Sequence, residues 1–191
     1  MSNKIESTIS LNRPTLALSG ARALVLQASL IGAAVILPLL AHLSGAPVRY
    51  LLPMHWPVVL AGLIYGWRGG ALTGLLAPIM SYFISGFPLP GILPSMTVEL
   101  LVYGSLTGLL RERTAMSPFL SVAIALVCGR IAFAASVLVG GVMVGDYHRY
   151  FPAALLPGIG AGVFQIALLP LFARWCVNKE HGGATAKEFL Q

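Results

Sequence analysis

The sequence predicts an all-α integral membrane protein of six transmembrane helices, with both termini on the cytoplasmic side. Three observations carry this. Residues of the AVILMFWYC group make up 57% of the 191 residues and charged residues only 9%, against roughly 25% in soluble domains. Mean hydropathy is +0.85. The apolar residues fall into runs near membrane-spanning length, with basic residues gathered on alternate connections. A chain this poor in charge cannot coat itself with polar surface, which excludes a water-soluble enzyme. Intrinsic disorder is excluded as well, because it requires low hydrophobicity and high net charge.

Residues 1–22 are polar and mixed, and form a cytoplasmic segment. They carry no secretory signal, since no short apolar core leads to a small-residue cleavage site. The membrane domain covers 23–177. Its first span is 23–43, with Gln27 as its one strong polar group and Pro38 to bend it. Residues 44–53 form a loop with Arg49 and Tyr50. The second span, 54–67, stops at Arg68-Gly69-Gly70, and the third is 71–85. Both fall short of the roughly 20 residues that a bilayer needs, so they tilt or leave part of the membrane to loops. Pro88, Pro90 and Pro94 keep 86–94 out of regular helix and make it an ordered apolar cap. The fourth span, 95–110, has Ser95 or Thr97 as its cap and ends at Arg111-Glu112-Arg113. The fifth is 118–144. The sixth, 153–177, follows Asp146-Tyr147-His148-Arg149-Tyr150, and 178–191 is a cytoplasmic tail.

Orientation follows from Lys and Arg. With the N-terminus inside, nine lie on cytoplasmic segments: Lys4, Arg13, Arg22, Arg68, Arg111, Arg113, Arg174, Lys179 and Lys187. Arg49 and Arg149 lie outside, and Arg130 lies within the fifth span. Fusing the second and third spans would put Arg111 and Arg113 on the wrong side. The net charge of +6 is therefore a topology signal, and no nucleic-acid partner is needed to explain it. The lipid bilayer is the first partner.

Small residues recur every four positions. Ala28 and Gly32 do so in the first span, Gly62, Gly66, Gly70 and Gly74 across the second and third, and Ala154, Gly158 and Gly162 in the sixth. In lipid this spacing lets backbones approach closely.

Glu99 and Arg130 are the two ionisable residues inside spans, and each is costly there unless paired or wetted. A Glu99–Arg130 pair and contact with a polar ligand are both open on the sequence, with Gln165 able to join either network. Arg49, Tyr50, His55, Met80, Tyr82, Phe83, Phe87, Met96, Tyr103 and Tyr147 fall near the outer ends of the spans. Together they read either as an aromatic belt or as the lining of an apolar cavity under a lid. Met80 follows Pro78, where the helix bends. Its thioether is either a soft metal ligand or a core gap-filler. Cys128 and Cys176 sit in apolar runs, which argues against a disulfide framework. The chain has no His-Glu-x-x-His and no phosphate-binding loop. Gly104-Ser105-Leu106-Thr107-Gly108 has leucine where a nucleophile elbow needs serine.

Met54-His55-Trp56-Pro57-Val58-Val59-Leu60-Ala61-Gly62, then Gly66, Gly69-Gly70, Gly74 and Ala77-Pro78, resembles the central segment of S-components. These are the substrate-binding membrane subunits of energy-coupling-factor (ECF) vitamin transporters. Ser85-Gly86-Phe87-Pro88, Pro94, Glu99-Leu100 and Tyr103-Gly104 continue the likeness over about residues 23–177. The resemblance implies a multi-pass protein of the bacterial inner membrane, a six-helix bundle with an outward-facing pocket, and loops that cover it. It implies a transport role without catalysis. The partners would be an ECF coupling subunit and its ATPases, met through Ala28 and Gly32, unless the protein is solitary. Within the family the chain looks most like the cobalamin-type members, including the solitary BtuM-like proteins. The implied substrate is then cobalamin or a related corrinoid, with cobalt present only as part of that substrate and no cofactor of the protein's own. Where BtuM-like proteins use a cysteine against the cobalt, this chain has Met80, and Cys128 lies deeper. Pantothenate-type members share the His-x-Pro-Val-x-Leu-Ala-Gly segment, so a smaller vitamin is the alternative. An intramembrane enzyme using His55 and Glu99, or a corrinoid-modifying protein, is the alternative of another class.

Overall fold

The computed structural model describes residues 15–114, 116–140 and 147–188, with side chains to 179. All regular structure among them is helical: α1 Ala21–Leu43, α2 Val48–Leu51, α3 His55–Ser85, α4 Leu93–Arg113, α5 Pro118–Val139, α6 Tyr147–Leu155, a 3-10 turn Leu156–Gly158, and α7 Ile159–Glu188. Five stretches are long and apolar enough to cross a membrane: Ala21–Leu43, Val48–Ser85, Leu93–Arg113, Pro118–Val139 and Tyr147–Lys179.

The second of these stretches holds the main feature of the architecture. Helix α3 breaks at Gly66, whose φ of 70° and ψ of −164° are not helical. A straight helix would carry Gly62 and Gly70 about 12 Å apart along its axis. Here both lie against the backbone of Gly104 in α4. Beyond them Gly74 lies on Leu100, and Gly66 itself on Gly108 and Glu112. The chain therefore runs alongside α4 in one direction over 55–65 and returns against it over 67–85. Glycine is needed at the turn because a side chain there would take a positive φ and strike Glu112. The four-residue glycine repeat read from the sequence is the seam between α3 and α4.

Helix α1 packs on the returning arm of α3. Gln27 is buried and donates through Nε2 to the Gly69 carbonyl (3.0 Å) and to Thr73 Oγ1 (2.7 Å). The polar group noted in the first span is thus a staple between helices. Ahead of α1, the Leu16 amide donates to the Ile64 carbonyl (2.6 Å). This ties the entering chain to the Gly66 end of the bundle, where Arg22, Arg68 and Glu112 also line clefts. Helix α5 starts at Pro118 behind Ser117, whose side chain accepts from the Leu120 amide. Gly129 makes room for the ring of Tyr103. Val127, Ile131, Val163, Phe164 and Trp175 remain exposed, as befits a surface bathed in lipid rather than water.

Several boundaries differ from the sequence reading. Helix α4 begins at Leu93, so Ser95 and Thr97 are not caps. Thr97 Oγ1 instead donates back to the Leu93 carbonyl (2.7 Å). Helix α5 ends at Val139, and its expected end at Val144 lies outside the described residues. The stretch expected to begin at 153 already turns as helix from Tyr147 and is interrupted at Leu156–Gly158. Lys4 and Arg13, in the outer part of the 1–22 segment, lie outside the described residues, and Lys187 is described only as part of the helical backbone of α7.

Candidate functional site

The outgoing arm of α3 has only the residues 55–65, about 16 Å of helix against a hydrocarbon layer of about 30 Å. Helix α2 and the turn after it fill the shortfall incompletely. A cavity of about 300 Å³ remains there, lined by Pro38 and His42 of α1, Val48, Arg49 and Leu52 to His55, Ser81 of α3, Phe87 to Leu89, and Met96 of α4. The loop 86–92 closes over it, pinned by stacking of Phe87 on His42 with ring centroids 4.5 Å apart. A second cavity of about 420 Å³ lies between α5 and α7, with Tyr103, Arg130, Leu155, Gly158 and Gln165 in its wall. Leu52 lines both cavities.

The polar centre stands between them. Glu99 is 3% exposed. One of its oxygens, Oε1, receives Arg130 Nη1 at 3.0 Å and the Tyr103 hydroxyl at 2.7 Å, with His55 Nε2 at 3.8 Å. The sequence left a Glu99–Arg130 pair open, and the structure makes it. A charge-assisted contact of this kind is what lets a carboxylate sit in an apolar bundle. His55 is also buried, tilted against Tyr103 at 5.3 Å, and neither ring nitrogen has a hydrogen-bond partner. The Ser81 hydroxyl, 1% exposed, is likewise unpartnered. The first cavity is thus lined by the His55 ring, whose Nε2 faces Glu99, by the unpartnered Ser81 hydroxyl and by Arg49. No three His, Cys, Asp or Glu among the described residues converge as a metal site.

A family model described as "ECF transporter, substrate-specific component" matches residues 22–174, about four fifths of the 191-residue chain. The chain belongs to the ECF substrate-specific component family. Comparison with curated proteins and with solved structures gives no match. S-components are membrane subunits that bind a substrate for vitamin or micronutrient uptake and work with the subunits of an ECF module. They are transporter components and not enzymes.

Of the residues singled out from the sequence, Arg49, His55, Phe87 and Met96 line the first cavity. Tyr103 and Arg130 line the second, and Glu99 joins the two. Tyr50, Met80, Tyr82, Phe83 and Tyr147 line neither. Tyr50 and Phe83 are 61% and 80% exposed, Tyr82 packs on Phe83, and Tyr147 stacks on Phe151. Met80 is 39% exposed. One step along a helix turns a side chain by about 100°, and it is Ser81 that meets the cavity. Ala28 is exposed, and a Cβ on Gly32 would meet nothing within 4 Å, so this stripe is unused inside the chain. Three residues escaped the sequence reading. His42 and Ser81 carried no local signal. Leu52 is marked only by its backbone, at φ 47° and ψ 51°.

Proposed function

We propose that this S-component captures a small, carboxylate-bearing, water-soluble vitamin from the outer face of a bacterial inner membrane. One observation carries the reading. Glu99 is already matched by Arg130 at 3.0 Å, so the positive charge of Arg49 and the unpartnered Ser81 hydroxyl are left facing the first cavity, with the His55 ring beside them. Such a site favours an anion. At about 300 Å³ the cavity is at the small end of the ~300–1,000 Å³ range of ligand pockets. This supports the pantothenate-like alternative over a corrinoid, as does the outward position of Met80.

The topology in this reading is six spans, α3 supplying two by its return at Gly66, with both termini cytoplasmic. Arg22 and Arg68 lie at the Gly66 end, which is then the cytoplasmic end, and the cavity opens outward. The Ala28–Gly32 face of α1 docks the coupling subunit of an ECF module.

Calorimetric titration of the purified protein with pantothenate, biotin, thiamine and cyanocobalamin tests the reading. Saturable binding of a carboxylate vitamin, weakened at least tenfold by Arg49→Ala, is expected. Preferential binding of cyanocobalamin, weakened by Met80→Ala, would establish the corrinoid reading instead.

A further inference from the structure

The second cavity has no role in the reading so far, yet it holds the least explained side chain of the molecule. Gln165 is 0% exposed and lines this cavity. Neither its Nε2 nor its Oε1 has a hydrogen-bond partner. A primary amide left without a partner on both its donor and its acceptor is costly, and in native structures such a group calls for a specific explanation. Beside it, Arg130 faces two ways. One amino group meets Glu99, and the other lies against Gly158, where a Cβ would strike it.

The partition between the cavities is equally unusual. Leu52 lines both and holds a left-handed backbone, φ 47°, which a branched apolar residue rarely adopts. Strain of this kind gathers where a segment moves. Its side chain reaches toward Gly158 of the second cavity's wall, which places Leu52 at the boundary of the two spaces beside the Glu99 centre.

We propose that the two cavities are the ends of one elongated site, divided by Leu52, in which Gln165 reads the substrate. The inference rests on the reading of this chain as a vitamin-binding subunit and adds a substrate class to it. The ligand carries a carboxylate, met by Arg49 in the first cavity. A short chain joins this to an amide or ureido group, which both donates and accepts, met by Gln165 in the second. A carboxamide side chain is the complement of such a group, because each can offer one donor and one acceptor to the other.

Pantothenate and biotin both have this build and serve as probes. The full-length wild-type protein, Gln165→Leu and Gly162→Leu are titrated with each, and their melting temperatures are compared. Gly162 lines the second cavity, and a Cβ there meets only Leu126 Cδ1 at 3.8 Å, so the backbone has room for a side chain that takes up part of this space. The wild type is expected to bind at least one probe, and both variants to bind it at least tenfold more weakly while melting within a few degrees of wild type. If Gln165→Leu fails to fold, Gly162→Leu carries the test. Wild-type binding that both variants retain within twofold overturns the second subsite and leaves the vitamin-binding reading standing. Wild-type binding to neither probe overturns the small-carboxylate reading and this inference with it.

Discussion

At the scale of single residues, Glu99 organises the site. Three side chains from α3, α4 and α5 converge on one carboxylate oxygen: Tyr103 is set there by the four-residue spacing of α4, and His55 and Arg130 are brought by the fold. Removing one partner of a buried pair costs more than the pair contributes, because the other charge is stranded; the usual loss is about 3–5 kcal/mol. Arg130→Ala is therefore expected to lower stability by about that much, measured as thermal unfolding in detergent. Glu99→Gln combined with Arg130→Met is expected to recover a large part of the loss. A double variant as unstable as Arg130→Ala would show that the ion pair is not the source. Glu99 and Arg130 were legible in the sequence because a charge inside an apolar run stands out. Ser81 and Leu52 were not: a serine in a helix or a leucine in a turn is ordinary until the fold shows what it faces. Met80 and Ser81 make the point most sharply, since a difference of one position decides which side chain reaches the cavity. Met80→Ala is expected to leave vitamin affinity within twofold of wild type, and a tenfold loss would contradict the outward placement.

Among the helices, the decisive contacts are backbone on backbone. Gly62, Gly70 and Gly74 lie directly on α4, and a methyl group on Gly104 would meet the main chain of Gly70. Main chain cannot swing aside as a side chain can. Gly104→Ala is expected to destabilise by about 3 kcal/mol or more, at the upper end of overpacking costs. Gly160 is the control, in α7 with open space around its Cβ position. Gly160→Ala is expected to be neutral or to stabilise by about 0.5–1 kcal/mol, the ordinary gain from replacing a helical glycine. Chemical denaturation of the two variants side by side distinguishes packing from propensity. The four-residue repeat was plain in the sequence, and so was the stop at Arg68-Gly69-Gly70. The position of the turn, at Gly66 rather than after it, was not plain. Only the pairing of Gly62 and Gly70 with the same residue of α4 reveals it.

Taken whole, the molecule has two unlike ends. One gathers Arg22, Arg68 and Glu112; the other holds the cavity, the pinned loop and α2. Ala28 on the outer stripe of α1 is exposed, and a Cβ on Gly32 would meet no described residue within 4 Å. Gly32→Leu is expected to leave vitamin binding within twofold of wild type while uptake into cells carrying the ECF module falls at least tenfold. Unaltered uptake would remove the docking role of that face. The membrane class, the approximate spans and the family resemblance were readable because each rests on composition or on contiguous residues. The cavities were not, because their walls come from segments as far apart as Pro38 and Gln165.

The fold-back at Gly66 has one more consequence, for motion. Along the seam the two arms of α3 meet α4 backbone on backbone, Gly62, Gly66, Gly70 and Gly74 against Leu100, Gly104 and Gly108, and main chain so closely apposed resists sliding. They form a stator. Whatever opens the site to admit and release a substrate must therefore be borne by the parts hung on that block: α2 with Leu52, the loop held by Phe87 and His42, and the weakly bound pair α6 and α7. Amide hydrogen exchange in detergent should divide the protein along this line, slowest over 57–78 and 98–108 and fastest over 44–54, 86–92 and 147–158. Uniform exchange through α3 and α7 would mean that the bundle opens by deforming throughout rather than by moving its attachments.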